Sequence, residues 1–136
     1  MIRESIFNLQ RHEDDNGFLC VFQRGINVDF NIRRVFAVSA SKGDVRGEHA
    51  HRHCSQLLMC AAGKVLVTCD DGSNSADYLL DGMHIGLSIP PGIWAKQEYL
   101  TNDALLIVVC DRDYEPEDYI RDRCEYNQFL QLGRKI

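Results

Sequence analysis

No apolar run in this chain approaches the length of a membrane span. The N-terminal stretch MIRESIFNLQRHEDD also lacks the apolar core of an export signal, so a cytoplasmic location is expected. Positive charge is scarce: 15 Lys and Arg against 20 Asp and Glu leave a formal net charge of −5. That balance argues against a polyanion-binding surface, and so against nucleic acid as a partner, although a local basic cluster can still hold one small anion. The 6 cysteines contain no CxxC pair, and Cys20, Cys60, Cys69 and Cys110 lie inside apolar strand-like runs. They read as reduced, buried small hydrophobes, which excludes a disulfide framework. There is no internal repeat, low-complexity tract or linker, so the 136 residues are read as one domain, 1–136, large enough to build a core unaided.

What the chain does contain is a series of short strand-like runs with a turn signal every eight to twelve residues or so. Ile2–Leu9 reads as a first strand, His12–Asn16 as the approach to an Asn-Gly turn, and Phe18–Gln23 as a second strand. Phe30–Ser39 follows, with Arg33 and Arg34 adjacent and therefore facing opposite ways. Gln56–Cys60, Lys64–Asp70, Ser73–Leu80, His84–Ile89, Ile93–Leu100 and Ala104–Cys110 continue the pattern between glycine, proline and Asp-Gly turns. Only the tail changes period. Pro116 and Glu117 suit a first helical turn, and Glu117–Leu132 is read as a terminal helix or helical turn closing one end, whose acidic start, within Asp113–Asp122, is solvated.

The centre of this pattern is Gly43–Gly63, where His49, His51 and His53 recur at every second residue. On a strand they share one side, and imidazoles titrate near neutral pH. His53 falls at the strand end beside Arg52, where a rim role is expected; His12 and His84 read as surface residues. An all-β chain with HxH in its middle suggests a cupin jelly roll, whose motifs supply metal ligands. Gly43, His49, His51 and Gly63 match the first motif, but its glutamate position holds Gln56. Pro90 and Gly92 fit the second, but its histidine and asparagine positions hold Ala95 and Tyr99. With the anionic donor and one imidazole gone, no metal and no cofactor is expected, because catalytic sites normally use three protein ligands.

A closer likeness lies in RGEHAH (Arg46–His51) with the strand and DDG turn after it, FNIRRVF (Phe30–Phe36), GLSIPPGIW (Gly86–Trp94) and DYEPEDYIRDRCEY (Asp113–Tyr126). In this order and spacing the chain resembles the WxcM-like family of cupin-fold nucleotide-sugar 3,4-ketoisomerases. The resemblance implies an isomerase that moves the ketone of dTDP-4-keto-6-deoxyglucose from C4 to C3 without a metal, supplying 3-amino sugars for surface polysaccharide. It also implies a homodimer with strand exchange, and it makes His49 and His51 the catalytic pair. Two positions depart from the family's pattern, Asn16 before the first turn glycine and Ala95 after the tryptophan. Both bear on the stereochemistry of the product.

The chemistry fits the residues. A group available in both protonation states near neutral pH is the natural agent for moving a proton between neighbouring carbons. His51 is taken as the principal base and His49 as the partner that orients, relays or reprotonates. Arg46 and Arg34 are the candidates for the diphosphate, guanidinium being suited to bidentate contacts. Gln56 is a candidate for a sugar hydroxyl, and Trp94 and Tyr99 for stacking on the base or lining the sugar. A nucleotide-sugar 3,5-epimerase and a non-catalytic sugar-nucleotide-binding cupin are the other readings. The epimerase wants an additional acid such as a tyrosine, which no motif places.

Overall fold

The structure, a computed structural model, describes residues 3–134, so Ile2 lies outside the described residues. Its strands are β1 (Ser5–Asn8), β2 (Gln10–Asp14), β3 (Gly17–Val21), β4 (Arg34–Ser39), β5 (Val45–His51) and β6 (Gln56–Ala62). They continue as β7 (Val65–Asp70), β8 (Ser75–Leu80), β9 (Ile85–Ile89), β10 (Trp94–Tyr99), β11 (Leu105–Cys110) and the two-residue β12 (Tyr119–Ile120), before a helix, α1 (Arg123–Arg134). Two antiparallel sheets face each other, in the orders β1-β9-β6-β11-β4 and β12-β5-β10-β7-β8, and β2 and β3 form a separate hairpin. The all-β jelly roll of cupin type, with a short C-terminal helix, is therefore the fold.

Alternation builds the core. Along β7, Val65, Val67 and Cys69 are fully buried while Leu66, Thr68 and Asp70 are partly exposed. With Leu58, Cys60, Leu80, Leu87, Tyr99 and Leu106 they fill one part of the space between the sheets. The outer face of the second sheet is covered by α1, where Tyr126 and Leu130 pack on Ala50, Trp94 and Ile120. All six cysteines are free, four of them buried.

Three local expectations need correction. His12, Glu13 and Asp14 belong to β2, because the Asp14–Gly17 pairing tightens the hairpin turn to Asp15 and Asn16. β4 begins only at Arg34. The closing helix starts at Arg123, not Glu117. Pro116 opens a single 3-10 turn, Pro116–Asp118, and the chain then extends so that Tyr119 and Ile120 pair with His51 and Ala50. The acidic start of the tail is therefore not wholly solvated, since Asp118 is 5% exposed.

Candidate active site

Against the packed core, the sheets enclose a cavity of about 480 Å³, lined from the first sheet by Arg34, Phe36, Gln56 and Val108. The second sheet contributes Arg46, His49 and Gln97, and the tail contributes Tyr119 and Arg121. No Asp or Glu lines it, and Arg34, Arg46 and Arg121 make no ion pair among the described residues. A chain of net charge −5 thus keeps an uncompensated cationic cavity.

Arg46 reaches this cavity through a bulge. By strict alternation it would face away from His49 and His51, three and five residues on. The β5–β10 register slips between Ala95 and Lys96, pairing Ala95 with His49 but Lys96 with Gly47, so Glu48 is the extra residue. Gly47 and Glu48 take φ of 85° and 58°, and Glu48 is the one non-glycine residue with positive φ among those described. The Gly-Glu of RGEHAH is thus the device that brings an arginine and two histidines onto one face.

β5 ends at His51, so His53 is off the strand and exposed, and the three-histidine row shrinks to a pair. The two rings lie 5.0 Å apart, nearly perpendicular. Tyr119 packs on both, at 5.0 Å from His49 and 4.4 Å from His51. His51 Nδ1 is 2.9 Å from Asp118 Oδ2. The same carboxylate accepts the backbone N–H of His53 at 2.7 Å and of Cys54 at 3.3 Å. His51 Nε2 and His49 Nδ1 are buried with no partner among the described residues.

Burial pushes His49 down to about 4, and the neighbouring His51 adds to the shift. His51 is also lowered: burial outweighs the opposite pull of Asp118, with Arg121 and Arg34 adding to it. Burial alone would raise the Asp118 carboxyl, but the bonds from His51, His53 and Cys54 hold it below the usual range. At neutral pH the site therefore offers neutral imidazoles beside an ionised carboxylate, the state a base needs.

The other candidates separate. Gln56 lines the cavity and donates from Nε2 to Cys110 Sγ at 3.5 Å. Arg34 donates to the Tyr119 hydroxyl at 3.5 Å, while Arg33 points away and pairs with Asp113 at 3.2 Å. Trp94 faces the other side of the sheet, under Arg123 at 4.8 Å, and lines a second, more open cavity with Glu48, Lys96 and Arg121. Tyr99 is corrected from site to core: it is 0% exposed, absent from the cavity lining, and its hydroxyl has no partner among the described residues. Asp118, Tyr119 and Arg121 were missed. Their signal was the DYEPEDYIRDRCEY likeness, which spans all three.

The cupin metal positions do not fit an ion. Ala95 sets a methyl group directly opposite His49, and Gln56 is neutral and bonded to a thiol. His51, Cys54 and Asp118 have donor atoms within 4.8 Å of one another. The carboxylate of that group already accepts three bonds, and the Cys54 thiol is pushed up by its bond with Cys110 and by burial, so it keeps its proton.

Fold and cavity together define a cupin equipped for acid–base chemistry on an anionic ligand. The chain matches the family described as FdtA: WxcM-like, C-terminal over residues 3–131, and it belongs to that family. It is 30% identical over 136 residues to a TDP-4-oxo-6-deoxy-alpha-D-glucose-3,4-oxoisomerase of Aneurinibacillus thermoaerophilus, covering 99% of this chain and 96% of the relative. A 3,4-ketoisomerase from Helicobacter canadensis shares the fold with a TM-score of 0.90 at 28% identity, over 94% of this chain and 97% of that one. The sugar 3,4-ketoisomerase QdtA of Thermoanaerobacterium thermosaccharolyticum, solved in complex with TDP, superposes with a TM-score of 0.88 at 25% identity, over 98% and 96% of the two chains.

Proposed function

We propose that this protein, acting as one domain over its whole length, is a 3,4-ketoisomerase that converts dTDP-4-keto-6-deoxyglucose to the 3-keto isomer. The observation that carries the reading is the cavity itself: three unpaired arginines ring a half-buried His49, and the buried ring of His51, outside the lining, packs 5.0 Å behind it against a carboxylate. Arg34 and Arg46, with Arg121, supply the donors that two phosphate charges require. The ketone at C4 acidifies the proton on C3. His51 takes that proton, and the C3–H electron pair forms the C3=C4 bond while O4 becomes an enolate oxygen. His49 relays the O3 hydroxyl proton to O4. The electron pair on O3 then forms the C3 carbonyl as His51 returns its proton to C4. The atoms balance and no oxidant is needed.

Incubation with dTDP-4-keto-6-deoxyglucose in deuterated water tests this. The ketone should appear at C3, with deuterium at C4 to the extent that the proton held by His51 exchanges with solvent before its return; label at C3 and C5 with the carbonyl unmoved would mean an epimerase. That second reading draws on Tyr119, a tyrosine in the cavity after all. Its ring packs within 5.0 Å of both imidazoles, on their side of the cavity and not across a sugar from them, which favours the isomerase. His51→Asn should abolish turnover with the fold intact, and Arg46→Ala should weaken dTDP binding. If dTDP binds and the substrate stays unchanged over long incubation, the protein is a binding cupin.

A homodimer with strand exchange belongs to the same proposal. It is supported by the β2–β3 hairpin, which joins neither sheet and exposes Phe18 and Leu19, and by the β4 edge strand, which exposes Val35. Asn16 sits in the turn of that hairpin, away from the cavity of its own chain. The tip of a second copy would bring it to the sugar. We further assign the product to 3-amino-sugar synthesis for surface polysaccharide, and the protein to the cytoplasm, in keeping with six free thiols. Among the described residues no helix is long and apolar enough to cross a membrane.

A further inference from the structure

The tail places three side chains about the histidine pair within four residues: Asp118 behind His51, Tyr119 against its ring, and Arg121 over Tyr119 at 4.5 Å. Of the charged and titratable groups that face His51, Asp118 alone is negative. The others are His49 on the same strand, Arg34 from β4, Tyr119 and Arg121 from the tail, and the Cys54 thiol.

We propose that Asp118 is the positioning residue of the site: its carboxylate fixes the imidazole of His51 in the Nδ1–H tautomer, leaving Nε2 bare to take the proton from C3. This rests on the ketoisomerase reading above and adds to it which histidine is the base and why. An ionised carboxylate only accepts hydrogen bonds, so at 2.9 Å the proton between them belongs to His51 Nδ1. The carboxylate cannot swing away. Its other contacts are backbone N–H groups of His53 and Cys54, in the turn that follows His51 itself. The residue that orients the base is thus clamped by the segment carrying the base.

Nε2, freed by this arrangement, is buried and unpartnered among the described residues. When it takes a proton, the imidazolium lies against the one negative charge nearby. His49 has no such carboxylate: its Nδ1 is likewise unpartnered, and the hydrogen bond its ring makes is to the Gly47 backbone. With no charged group holding it, the ring suits a role in passing a proton between two oxygens.

Asp118→Asn in the full-length protein is the test. The Asn oxygen must keep accepting from His53, which turns the amide N–H₂ toward His51 and moves the imidazole proton to Nε2. The kcat should fall by about 10³–10⁴, as for a triad whose orienting carboxylate becomes an amide, with KM and the dTDP dissociation constant within about twofold. Asp118→Glu should recover at least about tenfold of the loss, by restoring an acceptor-only group. In ¹⁵N-histidine spectra at neutral pH, His51 should be Nδ1–H in the wild type and Nε2–H in Asp118→Asn.

A folded Asp118→Asn variant with kcat within about threefold of wild type would overturn the assignment. So would a wild-type spectrum showing Nε2–H, a result that stands even if the variant fails to fold. If the wild type leaves dTDP-4-keto-6-deoxyglucose unchanged, the ketoisomerase reading fails separately, and the tautomer measurement still decides the positioning role.

Discussion

Gly47→Ala separates the bulge from the residues it serves. At φ 85° an alanine pays for its Cβ against the following carbonyl, about 1–2 kcal/mol. The new methyl would also lie 2.8 Å from Gln97 Oε1 and 3.1 Å from the Ala95 carbonyl oxygen. The glutamine can rotate aside, but the carbonyl belongs to the β10 ladder and must shift by a few tenths of an ångström. A stability loss of about 2–3 kcal/mol is expected, read as a lower denaturant midpoint at unchanged slope. If the strand sheds the strain by straightening, Arg46 turns out of the cavity while His49 stays in its lining with His51 behind it. Losing one charge-assisted contact to a phosphate costs about 1.5–3 kcal/mol, or roughly a 10- to 150-fold weaker dTDP affinity by calorimetry. The variant should therefore bind nucleotide poorly yet keep measurable turnover at saturating substrate. A Gly47→Ala protein with wild-type stability and wild-type dTDP affinity would refute the link between this bulge and Arg46.

Tyr99→Phe removes a buried hydroxyl with no partner among the described residues and should stabilise the fold by about 1–3 kcal/mol with KM unchanged; a lower Tm or a raised KM would restore Tyr99 to the site. His49, at about 4 folded against 6.5 unfolded, binds its proton more readily in the unfolded chain. Stability should accordingly fall as pH drops from about 6.5 toward 4, by about 3 kcal/mol in all from this group. His49→Asn should flatten that dependence in denaturant titrations, and an unchanged slope would show that other groups set it. The lowered values of both histidines also keep kcat/KM level as pH falls through 6.5, where an acid limb centred at 6.5 would contradict the burial argument. Tyr119→Phe keeps the ring against both imidazoles and should lower kcat less than about tenfold; complete loss would make the hydroxyl an essential acid.

The histidine strand was legible because a period of two, flanked by turn glycines, needs nothing from the rest of the chain. Arg46 was legible only through the motif: alternation by itself puts it on the wrong face, and no local signal announces the bulge. Trp94 and Tyr99 illustrate the reverse. Five residues apart on one strand, they face opposite sides, so one cavity could not have taken both. The tail misled because proline followed by acidic residues is a sound helix start. What overrode it was the pairing of Tyr119 and Ile120 with β5, and His51 and Asp118 are 67 residues apart in the chain. Contacts at that separation leave no trace in periodicity.

Asp118, Tyr119 and Arg121 come after the last of the long strands, with Asp118 67 residues beyond His51 in the chain. On the reading proposed above, a chain cut before residue 118 would keep the histidine pair on β5 but lose the carboxylate behind it. It would lose in the same cut the helix that covers Ala50 and Trp94, so the orienting group and the outer cover of that sheet are inherited together.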